Sequence, residues 1–247
     1  MPYRELVRPS DVAEAVAFLT RVPVPPHEPR GAASAWAWPL AGAFSGLPGA
    51  AAATLALALG LPPSAAAALA LAAQALATGA LHEDGLADSA DGLWGGGTRE
   101  RRLEIMRDSR IGSYGALALI LSVLLRWSAL AALLDAGPAW GALLAAGALS
   151  RWPMAWMLRA LPPARDGGLS RLVGRPGGAT VALSGALALL VALLVTGWAA
   201  MPAALAVLVT ALIWTAIVRA RLHGQTGDTC GAAQQLAETA ALLALAA

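Results

Sequence analysis

The feature that most constrains this chain is a succession of apolar stretches, each close to twenty residues long. A helix that crosses the hydrocarbon core of a bilayer needs about 20 mostly apolar residues. The stretches are 36–59, 64–81, 113–134, 139–161, 180–198, 202–220 and 230–247. Breaks that contain Gly and Pro separate several of them. We therefore expect an all-α fold, a polytopic transmembrane helix bundle of about six to seven spans that forms a single domain over residues 1–247.

The composition agrees with a bilayer as the main solvent. Hydrophobic residues make up 58% of the chain and charged residues 13%, whereas soluble domains carry about 25% charged residues. The net charge of +2 is too small to indicate a nucleic-acid partner. The single Cys excludes an intrachain disulfide, and with only three His a structural zinc site, which needs about four ligands, is not expected.

Arginine is distributed unevenly between the two ends of the predicted bundle. If seven spans alternate, the segments on the N-terminal side are 1–35, 82–112, 162–179 and 221–229, and each of them contains Arg. The connections on the other side are 60–63, 135–138 and 199–201, and Asp135 is their only charged residue. This positive-inside pattern predicts a multi-pass protein whose N-terminus and long loops are cytoplasmic, and we expect its membrane to be the bacterial cytoplasmic (inner) membrane. A short amphipathic helix is expected at about residues 10–20.

The densest polar segment places three carboxylates on one helical stripe. Asp84, Asp88 and Asp91 stand at i, i+4 and i+7, so on an α-helix they fall within about 60° of one another. Like charges at this spacing destabilise a helix, and Mg²⁺, which prefers oxygen ligands, would offset the repulsion. We therefore expect a catalytic Mg²⁺ site here, with a solvated acidic helix end as the alternative. His82 borders the stripe and is either a hydrogen-bonding residue or a catalytic base.

An Arg-rich stretch follows the acidic stripe. Its Met-Arg-Asp-Ser-Arg motif contains Arg107, Asp108, Ser109 and Arg110, close to the next apolar stretch. The planar guanidinium group suits bidentate contacts with phosphate, and carboxylates with Mg²⁺ beside Arg suit a diphosphate. We therefore predict that these four residues bind substrate phosphate, and that 82–112 forms a cytoplasmic catalytic loop and helix.

Charged residues in or beside the other apolar stretches are further candidates. A charge near the bilayer centre costs roughly 2.5–3.5 kcal/mol or more unless it is paired or hydrated. Arg151 is therefore a substrate-binding candidate, whereas Arg126 is expected to snorkel or to pair with an acid. Glu238 is expected to pair with an Arg of another span. Arg165 lies in a loop at the membrane surface and is a phosphate-binding candidate. Asp228 begins the last apolar stretch as an N-cap, a fourth metal ligand or both.

Four segments carry a combined signature. They are FLTRVPVP at 18–25, TGALHEDGLADSADG at 78–92, IMRDSRIG at 105–112 and GQTGD at 224–228. Together they resemble the cobalamin synthase family, the adenosylcobinamide-GDP ribazoletransferases. The resemblance implies an integral membrane, Mg²⁺-dependent transferase and adds Thr226 to the substrate-binding candidates. It also implies that α-ribazole, or its 5′-phosphate, displaces GMP from adenosylcobinamide-GDP in the last steps of cobalamin biosynthesis. Two positions depart from the family pattern, with Glu83 where an apolar residue is usual and Gln235 where Glu is expected.

Two other functions stay open. An enzyme of the CDP-alcohol phosphatidyltransferase type also uses clustered Asp residues on a membrane helix, but its spacing, with Ala-Arg after the second Asp-Gly, is not reproduced. A transporter with an acidic cation site predicts charges deep within spans, whereas the acidic stripe lies at one predicted membrane face. The expected partners are adenosylcobinamide-GDP, the ribazole acceptor and membrane lipid, without nucleic acid; homo-oligomer formation is left open.

Overall fold

The computed structural model describes residues 6–247, a range built mainly from α-helices. The helices are α1 (Ser10–Leu19), α2 (Trp38–Ala58), α3 (Pro63–Thr78), α4 (Leu81–Gly95), α5 (Arg99–Ile105), α6 (Ser113–Ala136), α7 (Trp140–Ala160), α8 (Leu169–Val173), α9 (Gly178–Thr196), α10 (Ala200–Leu222) and α11 (Gly227–Ala246). Short 3₁₀ segments precede α2 and α10. The predicted all-α class is therefore confirmed. The N-terminus predicted to be cytoplasmic lies outside the described residues.

Each of the seven apolar stretches forms a helix, with ends that shift by a few residues. The largest consequence is in the second stretch, predicted over 64–81. Its helix α3 ends at Thr78 because Gly79 and Ala80 both adopt left-handed backbone, with φ of 66° and 55°. The chain restarts as α4 at Leu81 with a bend of 91°. The bend therefore places the acidic stripe on a helix of its own.

Three continuous helical segments within residues 6–247 are long and apolar enough to cross a membrane, and the bent pair α3–α4 would add a fourth. The three are Gly31–Ala58, Ser113–Ala136 and Gly178–Leu222. The last has 45 residues, about twice what one crossing needs, and the 3₁₀ segment Gly197–Ala199 divides it into α9 and α10. Helices α7 and α11, which carry Arg151 and Glu238, are long enough to cross a membrane but not apolar enough to be among these segments.

The outer helices present large apolar side chains to the surroundings. On α6, Leu117, Ile120 and Leu124 are all more than half exposed, at 53%, 56% and 51%. A contiguous apolar surface of this kind is unusual on a soluble monomer and marks contact with lipid or a partner. Together with the apolar segments, it identifies the protein as a membrane protein.

Helices α2 and α7 pack closely through glycines at the centre of the bundle. A Cβ on Gly42 would stand 2.1 Å from the carbonyl oxygen of Gly147, and a Cβ on Gly147 would stand 2.3 Å from that of Gly42. Small residues permit such approach, which stabilises helix pairs in lipid by van der Waals packing. The approach also lets Arg151 of α7 reach Ser45 of α2, with Nη2 and Oγ 3.0 Å apart.

Candidate functional site

Helix α4 lies directly against the first turn of α11. A Cβ on Gly85 would stand 2.8 Å from the carbonyl oxygen of Asp228 and 3.2 Å from Cα of Gly231. A contact of 2.8 Å with backbone is not tolerated, so glycine is required for this approach. The approach brings the acidic stripe of α4 beside Asp228, although the two segments are far apart in the sequence.

A cavity of about 310 Å³ lies beside this contact. Its charged and titratable lining consists of His82, Asp84, Arg165, Asp228 and the thiol of Cys230. Part of its apolar lining comes from α1, α2 and α7, with Phe18, Trp38, Met154 and Leu158. A volume of this size is at the lower end of the range for small-molecule sites. Four side chains that the sequence singled out therefore meet at one cavity.

Arg165 reaches this cavity because its loop is tied to the segment that precedes α11. The backbone N–H of Ala164 donates to the carbonyl oxygen of Gln225 at 2.8 Å, and the N–H of Gln225 donates to Pro162 at 2.8 Å. The guanidinium Nη2 of Arg165 donates to Oδ2 of Asp228 at 3.1 Å. The pair joins a cation to the carboxylate cluster and leaves both groups at the cavity wall.

The N-cap of α11 is Thr226, so the N-cap interpretation of Asp228 is wrong. The Thr226 hydroxyl accepts a hydrogen bond from the Thr229 N–H at 3.2 Å, and the Thr229 hydroxyl accepts one from the Thr226 N–H at 2.9 Å. This reciprocal pair is a capping arrangement that satisfies backbone donors at a helix start. Thr226 is fully buried and positions the turn that carries Asp228; its substrate-binding role stays a prediction.

The three aspartates of the stripe lie in different environments. Asp84 is exposed at the cavity, Asp88 is half-buried and Asp91 is buried. Burial raises the pKa of Asp88 to about 7, and the neighbouring carboxylates add to the shift. These neighbours are, in order of effect, Asp84, Asp228 and Asp91. The carboxylates of α4 and α11 are therefore close enough to influence the protonation of Asp88; their role as metal ligands stays a prediction.

Asp91 also binds the start of α6. Its Oδ2 accepts from the Gly112 N–H at 2.7 Å, and its Oδ1 accepts from the Gly115 N–H at 2.8 Å. Both donors belong to the first residues of a helix, where N–H groups have no partner within the helix itself. Asp91 thus fixes the end of the 82–112 segment on α4, a task that the i, i+4, i+7 spacing does not reveal. Its role as a metal ligand stays a prediction.

We expect Asp91→Asn to lower the stability of the folded protein by about 1–3 kcal/mol, because an amide replaces a carboxylate that accepts two backbone hydrogen bonds, one buried and one partly buried. Thermal unfolding in detergent measures this loss. Asp84→Asn is the matched control and should leave the unfolding temperature close to that of the wild type, since Asp84 is exposed. Equal unfolding temperatures for Asp91→Asn and the wild type would contradict the capping role.

The donor set at the cavity suits a hard divalent cation. Among residues 6–247, no three His, Cys, Asp or Glu side chains converge into a ready-made metal cluster. Magnesium does not require one, because it keeps several waters and commonly binds through one or two carboxylates plus substrate phosphate. Asp84, Asp88 and Asp228 supply such oxygen ligands, and their mutual repulsion gives the physical reason for a cation.

The Met-Arg-Asp-Ser-Arg motif forms the connection between α5 and α6 and does not contribute to the cavity lining. Within it, Arg110 Nη2 donates to Oδ2 of Asp108 at 2.5 Å. This hydrogen bond lowers the pKa of Asp108 to about 2. Arg107, Ser109 and Arg110 are exposed, so a phosphate on a substrate larger than the cavity would be accessible to them. Their phosphate-binding role stays a prediction.

Arg151 lies inside the bundle, away from the cavity lining. Its Nη1 donates to Oε2 of Glu238 at 3.0 Å, so the predicted pairing of Glu238 with an Arg of another helix is confirmed. Arg126 pairs with Glu238 and Glu83, with N–O distances of 3.8 Å and 3.5 Å. Gln235 Nε2 donates to Glu83 Oε1 at 3.1 Å. Glu83 and Gln235, the two positions at which the sequence is expected to depart from the family pattern, therefore contact each other, which no sequence spacing indicated.

Comparison with known proteins gives one consistent result. The family model described as cobalamin-5-phosphate synthase matches residues 11–246. A protein of Sinorhizobium medicae named adenosylcobinamide-GDP ribazoletransferase is 49% identical over 250 residues, which cover 96% of this chain and 95% of that protein. A protein of Azorhizobium caulinodans with the same name is 49% identical over 249 residues, covering 95% and 94% of the two chains. No solved structure matches the chain.

Proposed function

The chain belongs to the cobalamin-5-phosphate synthase family, and we propose that it transfers the phosphocobinamide moiety of adenosylcobinamide-GDP to α-ribazole or its 5′-phosphate, with release of GMP. The observation that carries this proposal is the cavity at which Asp84, Arg165 and Asp228 meet His82. Carboxylates that suit Mg²⁺ stand there beside an Arg, which is the equipment for a diphosphate substrate.

The proposed reaction is a substitution at phosphorus. The ribazole hydroxyl oxygen forms a bond to the cobinamide-side phosphorus, the bond from that phosphorus to the GMP oxygen breaks, and GMP leaves with the electron pair. Mg²⁺, held by Asp84, Asp88 and Asp228, supplies neutralisation of the diphosphate charge when it is bound. Arg165 places a further positive charge at the same wall and holds Asp228 in position.

His82 is our candidate for the base that receives the hydroxyl proton. It lines the cavity next to Asp84. It is 1% exposed, and its Nε2 has no hydrogen-bond partner among the described residues. A buried side chain with a ring nitrogen not engaged by the protein can hydrogen-bond a substrate hydroxyl, which a general base requires.

The apolar part of the cavity supports placing the ribazole acceptor there. Ribazole carries a dimethylated benzimidazole, a flat and largely apolar base, whereas guanine needs several hydrogen-bond partners around its edge. Phe18 and Trp38 stack at 5.7 Å between ring centroids, and Met154 and Leu158 complete an apolar wall. The corrin ring is too large for 310 Å³ and would stay outside the cavity.

We expect Phe18→Ala to raise the KM for α-ribazole by about 5- to 10-fold, the effect of losing one aromatic contact of roughly 1–1.4 kcal/mol. The KM for adenosylcobinamide-GDP should not change. Steady-state kinetics with each substrate varied in turn measure both constants. Phe44→Ala on α2 is the control, since Phe44 is 39% exposed and does not line the cavity. Equal increases in both KM values would contradict placement of the acceptor here.

The activity itself is tested with purified protein in detergent and Mg²⁺. Release of GMP from adenosylcobinamide-GDP that depends on α-ribazole or its 5′-phosphate is the expected result. Release of CMP from a CDP-activated alcohol instead would establish the phosphatidyltransferase alternative. Absence of turnover with either nucleotide would favour the transporter with an acidic cation site.

We further propose that the protein lies in the bacterial cytoplasmic membrane with its cavity on the cytoplasmic side. The support is the charge distribution, because the segments that carry the site residues contain Arg and the connections at the other end do not. The cytoplasm is also where a GDP-activated substrate is available to the site.

A further inference from the structure

Four charged side chains meet in the interior of the bundle. Glu83 of α4, Arg126 of α6, Arg151 of α7 and Glu238 of α11 form this buried charge cluster, joined by N–O distances of 3.0 to 3.8 Å. Their side chains are between 3% and 17% exposed. The cluster has two carboxylates and two guanidinium groups, so its net charge is zero. Each of these charges alone would carry a large desolvation cost in an apolar interior.

Neutral polar groups connect the cluster to the surrounding helices. Arg151 also donates to Ser45 of α2 at 3.0 Å and to Ser150 at 2.9 Å. Gln234 Nε2 donates to Ser150 Oγ at 3.1 Å and to Oε2 of Glu238. Gln235 links Gln234 to α4, with Nε2 at 2.9 Å from Gln234 Oε1. The cluster therefore joins α2, α4, α6, α7 and α11 in one network of hydrogen bonds and ion pairs, with α6 connected through the ion pairs of Arg126.

The link to α4 depends on a single carboxylate. Glu83 Oε1 contacts both Arg126 and Gln235, at 3.5 Å and 3.1 Å. Glu83 directly precedes Asp84, and successive residues of a helix point about 100° apart. Because Glu83 is held inside the bundle, the side chain of Asp84 must point in a different direction. In this structure it points into the cavity.

A second anchor acts on the same helix. Asp91 is bound by the N–H groups at the start of α6, two turns after Glu83, while Asp84 and Asp88 lie between the two anchors. Glu83 and Asp91 project from α4 about 80° apart, so the two contacts hold the helix on two different faces and resist its rotation about its axis. Among residues 6–247, Asp84 and Asp88 have no hydrogen bond or ion pair of their own that would fix them beside Asp228, so their placement depends on the two anchors.

We propose that Glu83 is a positioning residue, which acts through Arg126 and Gln235 to set the rotation of α4 and so to hold Asp84 at the cavity and Asp88 beside Asp84 and Asp228. This inference rests on the proposed function, because it assigns a purpose to the orientation of the carboxylates that would hold Mg²⁺. It gives Glu83 no contact with substrate.

The contact between Glu83 and Gln235 allows a direct experiment, because exchanging the two residues transfers the carboxylate from position 83 to position 235. Glu83→Gln leaves two guanidinium groups and one carboxylate in the cluster. We expect the apparent affinity of this variant for Mn²⁺, used as a probe for Mg²⁺, to fall about 10-fold. The maximal rate of GMP release should fall by a similar factor, while the KM for α-ribazole stays unchanged. In Glu83→Gln with Gln235→Glu the acid returns to the same contact, and both quantities should recover to within about 3-fold of the wild type.

Two further variants distinguish charge balance from the mere presence of a side chain. Gln235→Glu alone places a third acid in the cluster and should also weaken Mn²⁺ binding. Glu104→Gln makes the same chemical change in the exposed pair with Arg101 and should have no effect. Mn²⁺ binding is measured by electron paramagnetic resonance without substrate, and thermal unfolding is followed for every variant.

The outcomes separate the inference from the proposed function. Wild-type affinity and rate in Glu83→Gln would overturn the positioning role, as would a double variant no better than Glu83→Gln. A fall in unfolding temperature without any change in Mn²⁺ affinity or rate would reduce the cluster to a purely stabilising one. A wild-type protein that neither binds Mn²⁺ nor releases GMP would instead overturn the proposed function.

Discussion

Replacing Asp84 or Asp88 with Asn is expected to reduce GMP release by about 10²- to 10³-fold at limiting Mg²⁺, the scale on which loss of one electrostatic contact to a reacting phosphate or oxyanion is felt. Asn keeps the shape of the side chain but removes the charge that would hold the cation. Asp84 lines the cavity and Asp88 lies close enough to Asp84 and Asp228 to interact with their charges, and neither accepts the backbone hydrogen bonds that bind Asp91. The loss should therefore appear in activity and Mn²⁺ binding and not in the unfolding temperature.

Asp135→Asn provides a matched control for these variants. It makes the same substitution at an exposed position near the end of α6, outside the segment that carries the acidic stripe. Its GMP release should equal that of the wild type over the whole Mg²⁺ titration. Unchanged GMP release in Asp84→Asn and Asp88→Asn at limiting Mg²⁺ would remove these residues from the proposed metal site.

The helices could be predicted from the sequence because the length of an apolar stretch is a local property. Each of the seven stretches forms a helix. Glu238 pairs with Arg151, as expected for an acid in an apolar environment. The number of crossings was less predictable, since α7 and α11 carry polar residues that lower their hydropathy and α3 is bent away from α4. The bend depends on left-handed backbone at Gly79 and Ala80. Ala rarely adopts this conformation, so its presence in the sequence does not predict the bend.

The site was predictable in part. Spacing alone selected Asp84 and Asp88, and the position of Asp228 before an apolar stretch marked it as a candidate. The apolar wall formed by Phe18 and Trp38 was not foreseen, because it depends on α1 folding back over the bundle. The anchoring of α4 by Glu83 was missed for a similar reason. A usable signal existed in the polar residues Gln74, Gln234 and Gln235, which interrupt apolar stretches and are all buried.

We expect Gly85→Ala to lower the rate of GMP release by about 10²-fold while the protein stays folded. The added Cβ would stand 2.8 Å from the carbonyl oxygen of Asp228, so α4 and α11 must separate by several tenths of an ångström or more. Misplacement of reacting groups on the scale of 1 Å costs about 10²-fold in rate. The maximal rate and Mn²⁺ affinity should both fall, because the carboxylates of the two helices move apart together.

Gly97→Ala is the control that isolates this effect. Gly97 lies in the same 82–112 segment, but a Cβ there would meet nothing within 4 Å, so its rate should match the wild type. Circular dichroism and the unfolding temperature show whether Gly85→Ala keeps its helices. A folded Gly85→Ala with wild-type rate and Mn²⁺ affinity would mean that the separation between α4 and α11 does not matter for the reaction. The site would then have to lie on α4 alone, without Asp228 and without the cavity that the two helices share.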